Sequence, residues 1–314
     1  MTTTATTAEH AVRIRGLRKT YADVAAVDGL DLDIRAGEVF ALLGPNGAGK
    51  TTTVEILEGY RDRDAGEVSV LGHDPQRPGA GWRERIGIVL QSSTGHDEIT
   101  VEELVHHFAG YYPDARDPAE VVTAVGLGDK RKTRARHLSG GQRRRLDVAL
   151  GILGDPDLLF LDEPTTGFDP EARREFWGLI ASLADGGTTI ILTTHYLDEA
   201  EHLADRVGVI TAGRIVALDT PARLGGRDQE HAVLTWTEHG AVRAAQTSEP
   251  TALVTELSAR FGGEVPSLTI SRPTLEDVYL RLIGDSTGST PATAQPGQHT
   301  RPSRITDEQE HMAS

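Results

Sequence analysis

The chain has 314 residues, a formal net charge of −15, no cysteine and 38% hydrophobic residues. That length accommodates one large domain and one small one. The lack of cysteine excludes disulfides, thiolate metal sites and thiol catalysis, and the acidity speaks against a general nucleic-acid binder, whose partner needs a basic face. No apolar run reaches the roughly 18 residues of a membrane span. Met1–Thr7 has neither the basic start nor the apolar stretch of a signal peptide, so a cytoplasmic protein is expected.

Residues 1–10 are expected to be disordered. Residues 11–221 alternate strand-like and helix-like segments, the pattern of an α/β domain with helices against a largely parallel sheet. Glu38–Leu43 reads as a buried strand and Val54–Leu57 as a helix. Between them lies Gly44-Pro45-Asn46-Gly47-Ala48-Gly49-Lys50-Thr51-Thr52, in the strand–loop–helix context that a phosphate-binding loop requires. Its glycines let backbone N–H groups turn inward around phosphates, and the helix N-terminus adds positive potential there. Lys50 can reach the β- and γ-phosphates of a nucleoside triphosphate, and the Thr51 hydroxyl can ligate Mg²⁺.

Between Gln91 and Leu138 the pattern becomes helical. Thr100 caps one expected helix with Glu103 three residues on, and Pro118–Val125 forms another. A helical insert at about residues 92–138 follows. Leu138-Ser139-Gly140-Gly141-Gln142 then precedes the apolar-periodic stretch Arg143–Leu153. Ser139 caps that helix, and the paired glycines leave its N-terminus open to an anion. Leu158–Leu161 and Thr189–Thr193 are short apolar runs suited to strands buried on both faces. The first ends in Asp162 and Glu163: an acid there can hold Mg²⁺, and the next can act on water as a general base.

After Pro221 the character changes again. Ala232–Trp236 and Leu268–Ile270 read as strands, and Thr251–Phe261 and Thr274–Ile283 as amphipathic helices. This predicts a small α+β domain over 222–284 that leans on the larger one or on a partner. Residues 285–314 are rich in Ser, Thr, Pro, Gly and Gln and are expected to be disordered. The clusters Lys130–Arg136 and Arg143–Arg145 read as solvated faces, with anionic lipid or a membrane subunit as the next candidate. His106 and His107 lack further ligands nearby and read as helix surface.

In order and spacing these motifs resemble the nucleotide-binding subunit of an ATP-binding cassette (ABC) transporter over residues 11–221. Gly44–Thr52 and Leu158–Glu163 are similar to that family's two Walker motifs, and Leu138–Gln142 to its signature motif. Gln91 stands at the Q-loop position, Thr165–Asp169 at the D-loop and His195 at the switch histidine. Tyr21 stands where an aromatic residue stacks on adenine. Phe168 departs from the leucine usual in the D-loop, which predicts altered packing. The resemblance implies a P-loop NTPase core that binds ATP and Mg²⁺ and works as a head-to-tail homodimer. Lys50 of one subunit then shares an ATP with Ser139 and Gly141 of the other, with Gln142 and Asp169 beside them. Glu163 is the implied base, His195 holds the γ-phosphate, and Gln91 contacts Mg²⁺ or the attacking water. Thr51 and Asp162 complete the implied metal set.

Thr194–Glu201 and Pro273–Leu280 are further similar to the daunorubicin-resistance type of ABC-2 exporter ATPase. In that family a separate multi-span membrane subunit forms the channel. The implied protein is a peripheral ATPase at the inner face of the membrane that powers efflux of a small amphipathic compound or drug. The segment 222–284 resembles that family's regulatory or dimer-stabilising domain. A soluble cassette ATPase acting on a ribosome or nucleic-acid complex is the alternative. Its translation-type members usually carry two cassettes per chain and its chromosome-type members long coiled coils; this chain has neither. A nucleotide-dependent regulatory module with little turnover is a third reading, opposed by the acid at Glu163.

Overall fold

The computed structural model describes residues 10–79, 81–90, 97–229 and 231–286. Its centre is a six-stranded sheet built on β3 (Val39–Leu43), whose five residues are all buried. Phe40 and Leu42 face one apolar cluster while Val39, Ala41 and Leu43 face another. Two covered faces explain why the segment reads as an unbroken apolar run.

On the first face lies a three-stranded antiparallel sheet of β1 (His10–Tyr21), β2 (Val24–Arg35) and β4 (Ala65–Val70), in the order β2-β1-β4. Val12, Ile14, Leu30 and Ile34 of this sheet, with Val54 and Ile56 of α1 (Lys50–Leu57), pack against Phe40 and Phe160. On the other face lie the helices. The main sheet runs β5 (Ile86–Val89), β6 (Leu158–Asp162), β7 (Thr189–Thr193), β3, β8 (Arg206–Thr211), β9 (Arg214–Asp219). All neighbours pair in parallel except β8 and β9. The loops after β5, β6, β7 and β3 therefore leave one carboxyl edge, where ligands of open α/β sheets bind.

The insert contains α2 (Val101–Ala109) and α3 (Pro118–Ala124). The Thr100–Glu103 capping box starts α2, and Asp117 caps α3 with Pro118 in its first turn. α4 (Gly140–Gly151) follows, then α5 (Pro170–Asp185), capped by Asp169, and α6 (Leu197–Leu203).

Beyond β9 the chain makes a small sheet in the order β11-β10-β12, from β10 (Ala232–Glu238), β11 (Ala241–Thr247) and β12 (Thr269–Ser271). Helix α7 (Pro250–Phe261) closes its core of Ala232, Leu234, Trp236, Leu257 and Val265. The last helix, α8 (Leu275–Ser286), is capped by reciprocal bonds between Thr274 and Asp277. Its Leu275, Tyr279, Leu282 and Ile283 join the apolar cluster of the main sheet, not that of β10–β12.

Candidate functional site at the carboxyl edge of the main sheet

Gly44 leaves β3 so close to β8 that a Cβ there would lie 2.4 Å from the Ile210 carbonyl oxygen. Gly49 has φ +105°, and a Cβ on it would sit 2.3 Å from the Ala26 carbonyl oxygen. Only glycine fits either position. Asn46, Gly47, Thr51 and Thr52 keep contact with solvent, whereas Lys50 is 7% exposed. Lys50 Nζ donates to the carbonyls of Gly44 at 2.7 Å and Pro45 at 3.2 Å. Burial holds its pKa below the ordinary lysine value, and the carboxylates of Glu163 and Asp162 act against that shift.

Those two acids close β6. Asp162 accepts from the Thr193 hydroxyl on the neighbouring strand β7. Glu163 has φ +45°, a left-handed conformation that side chains rarely adopt and that concentrates at functional sites. Its amide donates to the Thr193 carbonyl at 3.0 Å. Its Oε1 lies 3.2 Å from His195 Nδ1, and the Thr166 hydroxyl is 3.5 Å from Oε2. Lys50, Asp162, Glu163 and His195 thus converge from three adjacent strand ends. Among the described residues no three His, Cys, Asp or Glu gather as a metal group. Asp162 and the Thr51 hydroxyl are nonetheless hard oxygen donors, the pair that suits Mg²⁺ when phosphates and waters supply the remaining ligands.

The Ser139 hydroxyl caps α4 by accepting from the Gln142 amide, and the Ser139 amide donates back to Gln142 Oε1. Both Ser139 and Gly140 are exposed. Among the described residues no hydrogen bond joins Ser139, Gly141 or Gln142 to the phosphate loop. Asp169 spends one oxygen on the Glu171 and Ala172 amides. Phe168 turns inward, edge-on to Phe176 with centroids 5.6 Å apart. Tyr21 ends β1 with 40% of its surface exposed. Arg61 and Lys19 stand 5.3 and 5.6 Å from its ring centroid. Gln91 lies outside the described residues; Leu90, just before it, is exposed.

The expectation that Arg143–Arg145 forms a solvated face is corrected at its middle residue. Arg144 is 6% exposed and donates to the carbonyls of Pro164 at 3.1 Å, Asp162 at 2.6 Å and Leu90. One guanidinium therefore ties the helix begun by Ser139 to the ends of β5 and β6. Sequence pattern shows three basic residues in a row but not which one points inward. Arg143 and Arg145 do pair at the surface, with Asp97 and Glu175. Arg131, Arg134 and Arg136 likewise meet Glu102 and Glu98. His106 and His107 are exposed on α2.

Beside Leu90 a groove of ≈ 770 Å³ opens between β5, α2 and α4. Ile88, Leu104, Phe108 and Leu150 form its apolar wall, and Glu58, Arg83, Arg143 and Asp147 bring charge to it. Burial, with the charges of Asp162 and Glu55, pushes Glu58 up to about 8. Among the described residues no helix is long and apolar enough to cross a membrane.

Residues 27–166 match the family model described as ABC transporter. The chain is 39% identical to the daunorubicin resistance ATP-binding protein DrrA3 of Streptomyces coeruleorubidus, over 88% of its own length and 97% of that protein's. It is 36% identical to the Nod factor export ATP-binding protein I of Burkholderia orbicola (strain AU 1054), over 87% and 97% of the two chains. A solved structure of an ATP-binding subunit of an ABC transporter superposes with a TM-score of 0.64 at 21% identity, covering 87% of this chain and 99% of that one. At that identity the likeness concerns the fold.

Proposed function

The chain belongs to the ABC transporter family as an ATP-hydrolysing exporter subunit, and from that premise we propose how its residues divide the work. The observation that supports the reading most is the convergence of Lys50, Asp162, Glu163 and His195 at one strand edge, with Glu163 and His195 3.2 Å apart. The loop amides and Lys50 hold the triphosphate, with Tyr21 against the adenine. Thr51 and Asp162, with Gln91, hold Mg²⁺, which when bound neutralises phosphate charge. Glu163 accepts the proton of the attacking water. His195 keeps that water and the γ-phosphate in line.

The site of one chain is incomplete in this reading. Ser139 and Gly141 present an open helix N-terminus to solvent, and in the ATP-bound homodimer they meet the γ-phosphate held by the other subunit. A second positive helix end placed where charge accumulates favours the transition state. Asp169 lies at the same seam.

A separate multi-span membrane subunit is the partner, seated at the groove beside Leu90, so that closure around ATP moves it. The protein is then peripheral at the inner face of the cell membrane. The exported compound is small and amphipathic, in keeping with the drug-resistance and export names of the relatives. Those relatives give no support to a ribosome or nucleic-acid partner.

The test is capture of tagged Glu163→Gln protein from detergent-solubilised native membranes with Mg-ATP, followed by mass spectrometry. A stoichiometric multi-span protein is expected. Ribosomal or DNA-bound partners with no membrane protein would overturn the transport reading.

A further inference from the structure

His195 sits on the loop after β7 with 46% of its side chain exposed. An imidazole so placed can swing, and catalysis by orientation fails when it does. Its ring lies against Tyr196, with centroids 4.1 Å apart and planes tilted 38°. Behind Tyr196 stands Arg173, its guanidinium carbon 4.6 Å from the ring centroid. A cation over a tyrosine face is attracted to it. Arg173 lies on α5, one turn after the Asp169 cap, and its amide donates to the Asp169 carbonyl at 3.0 Å. An unbroken line of contacts therefore runs Asp169, Arg173, Tyr196, His195, Glu163.

Beneath this line is Glu199, fully buried in α6. Burial pushes its carboxyl up; Thr194, Thr165, Trp177 and the charge of Arg173 act in the opposite direction. Yet both Glu199 oxygens, Thr165 Oγ1, Arg173 Nε and Trp177 Nε1 are buried without a partner at full hydrogen-bond geometry. Such a cluster costs stability that an apolar residue of similar volume would not. The link of Glu199 to the Arg173 guanidinium is one of charge, acting through space.

We propose that Arg173 and Tyr196 are positioning residues that set the His195 ring against Glu163 and tie it to the helix begun by Asp169. This rests on the roles assigned to Glu163 and His195 above. Neither residue touches nucleotide in this reading. Their effect falls on turnover and leaves ATP affinity to the phosphate loop.

The test is steady-state ATP hydrolysis by the full-length chain and its variants, with thermal melts to monitor folding. Tyr196→Ala lowers kcat about tenfold, since small misplacements near reacting atoms are costly, and shifts KM by less than about twofold. Tyr196→Phe, which keeps the ring, recovers most of that loss. Arg173→Met lowers kcat similarly, and the double variant loses no more than the larger single, as expected of residues acting as one unit. Parental kcat in Tyr196→Ala, a rise in KM as large as the fall in kcat, or a Tyr196→Phe no better than the alanine variant overturns the proposal. Should Arg173→Met fail to fold, the Tyr196 pair still decides. His195→Ala separates the two layers: a parental rate there removes the underlying site reading, whereas a large loss beside an undamaged Tyr196→Ala overturns only the positioning role.

Discussion

Lys50 Nζ donates to the Gly44 carbonyl at 2.7 Å, so the phosphate loop is closed on its own lysine. Phosphate oxygens are charged acceptors and outcompete a neutral carbonyl for an ammonium group. Lys50→Ala should weaken Mg-ATP binding by roughly a hundredfold, the scale of losing a charge-assisted contact of about 3 kcal/mol. Titration calorimetry on the full-length chain measures it. Unaltered affinity would remove the assigned role of Lys50.

Replacing Glu163 by Gln keeps the shape and discards the base. ATP binding should persist while kcat falls on the order of a thousandfold, within the range for loss of a general base. The variant should also accumulate as an ATP-dependent dimer on light scattering. Turnover at the parental rate refutes the base assignment.

Arg144 donates to three main-chain carbonyls from a buried position. In Arg144→Met those acceptors lose their donor, a loss of about 3 kcal/mol by the usual cost of unpaired buried groups. Lysine has one ammonium in place of a planar fork, so Arg144→Lys should recover only part. Urea denaturation of both variants gives the values; a methionine variant as stable as the parent would contradict the bolt-like role.

Glu58, pushed up to about 8 mainly by burial, makes stability depend on pH. Its folded pKa exceeds the unfolded value near 4.5, so the unfolded chain releases this proton first. Its ionisation therefore costs stability progressively between those two pH values, and the full cost is present above the upper one. Glu58→Gln removes that cost. In protein without nucleotide or metal it should raise the melting temperature clearly at pH 8.5 and much less at pH 5.5. An equal gain at both would argue against the shifted acid.

The motifs were legible because each is local. Gly44–Thr52 carries its own strand and helix as flanks, and Thr100–Glu103 and Ser139–Gln142 announce their helices by capping chemistry. Thr194–Glu201 was legible as family resemblance, but not Glu199 as a buried carboxylate, because burial depends on α5 packing from elsewhere in the chain. The same holds for Arg144. β11 is not legible in the sequence, since Ala241–Thr247 is poor in β-branched and aromatic residues; its pairing with β10 supplies what propensity does not. The β1–β2 hairpin turns at Ala22, with φ +49°, where no glycine or asparagine marks it.

Helix α8 places Leu275 and its neighbours in the core of the main sheet after the chain has built β10–β12 and α7 elsewhere. Emergence from the ribosome runs N-terminal first. The interior of the main sheet is therefore sealed by residues made after β10–β12 and α7, and a nascent chain stalled near Ser267 would hold an apolar seam open. The core of the main sheet thus waits for its last helix until β10–β12 and α7 have been made, and these lie in the chain between its penultimate and final pieces.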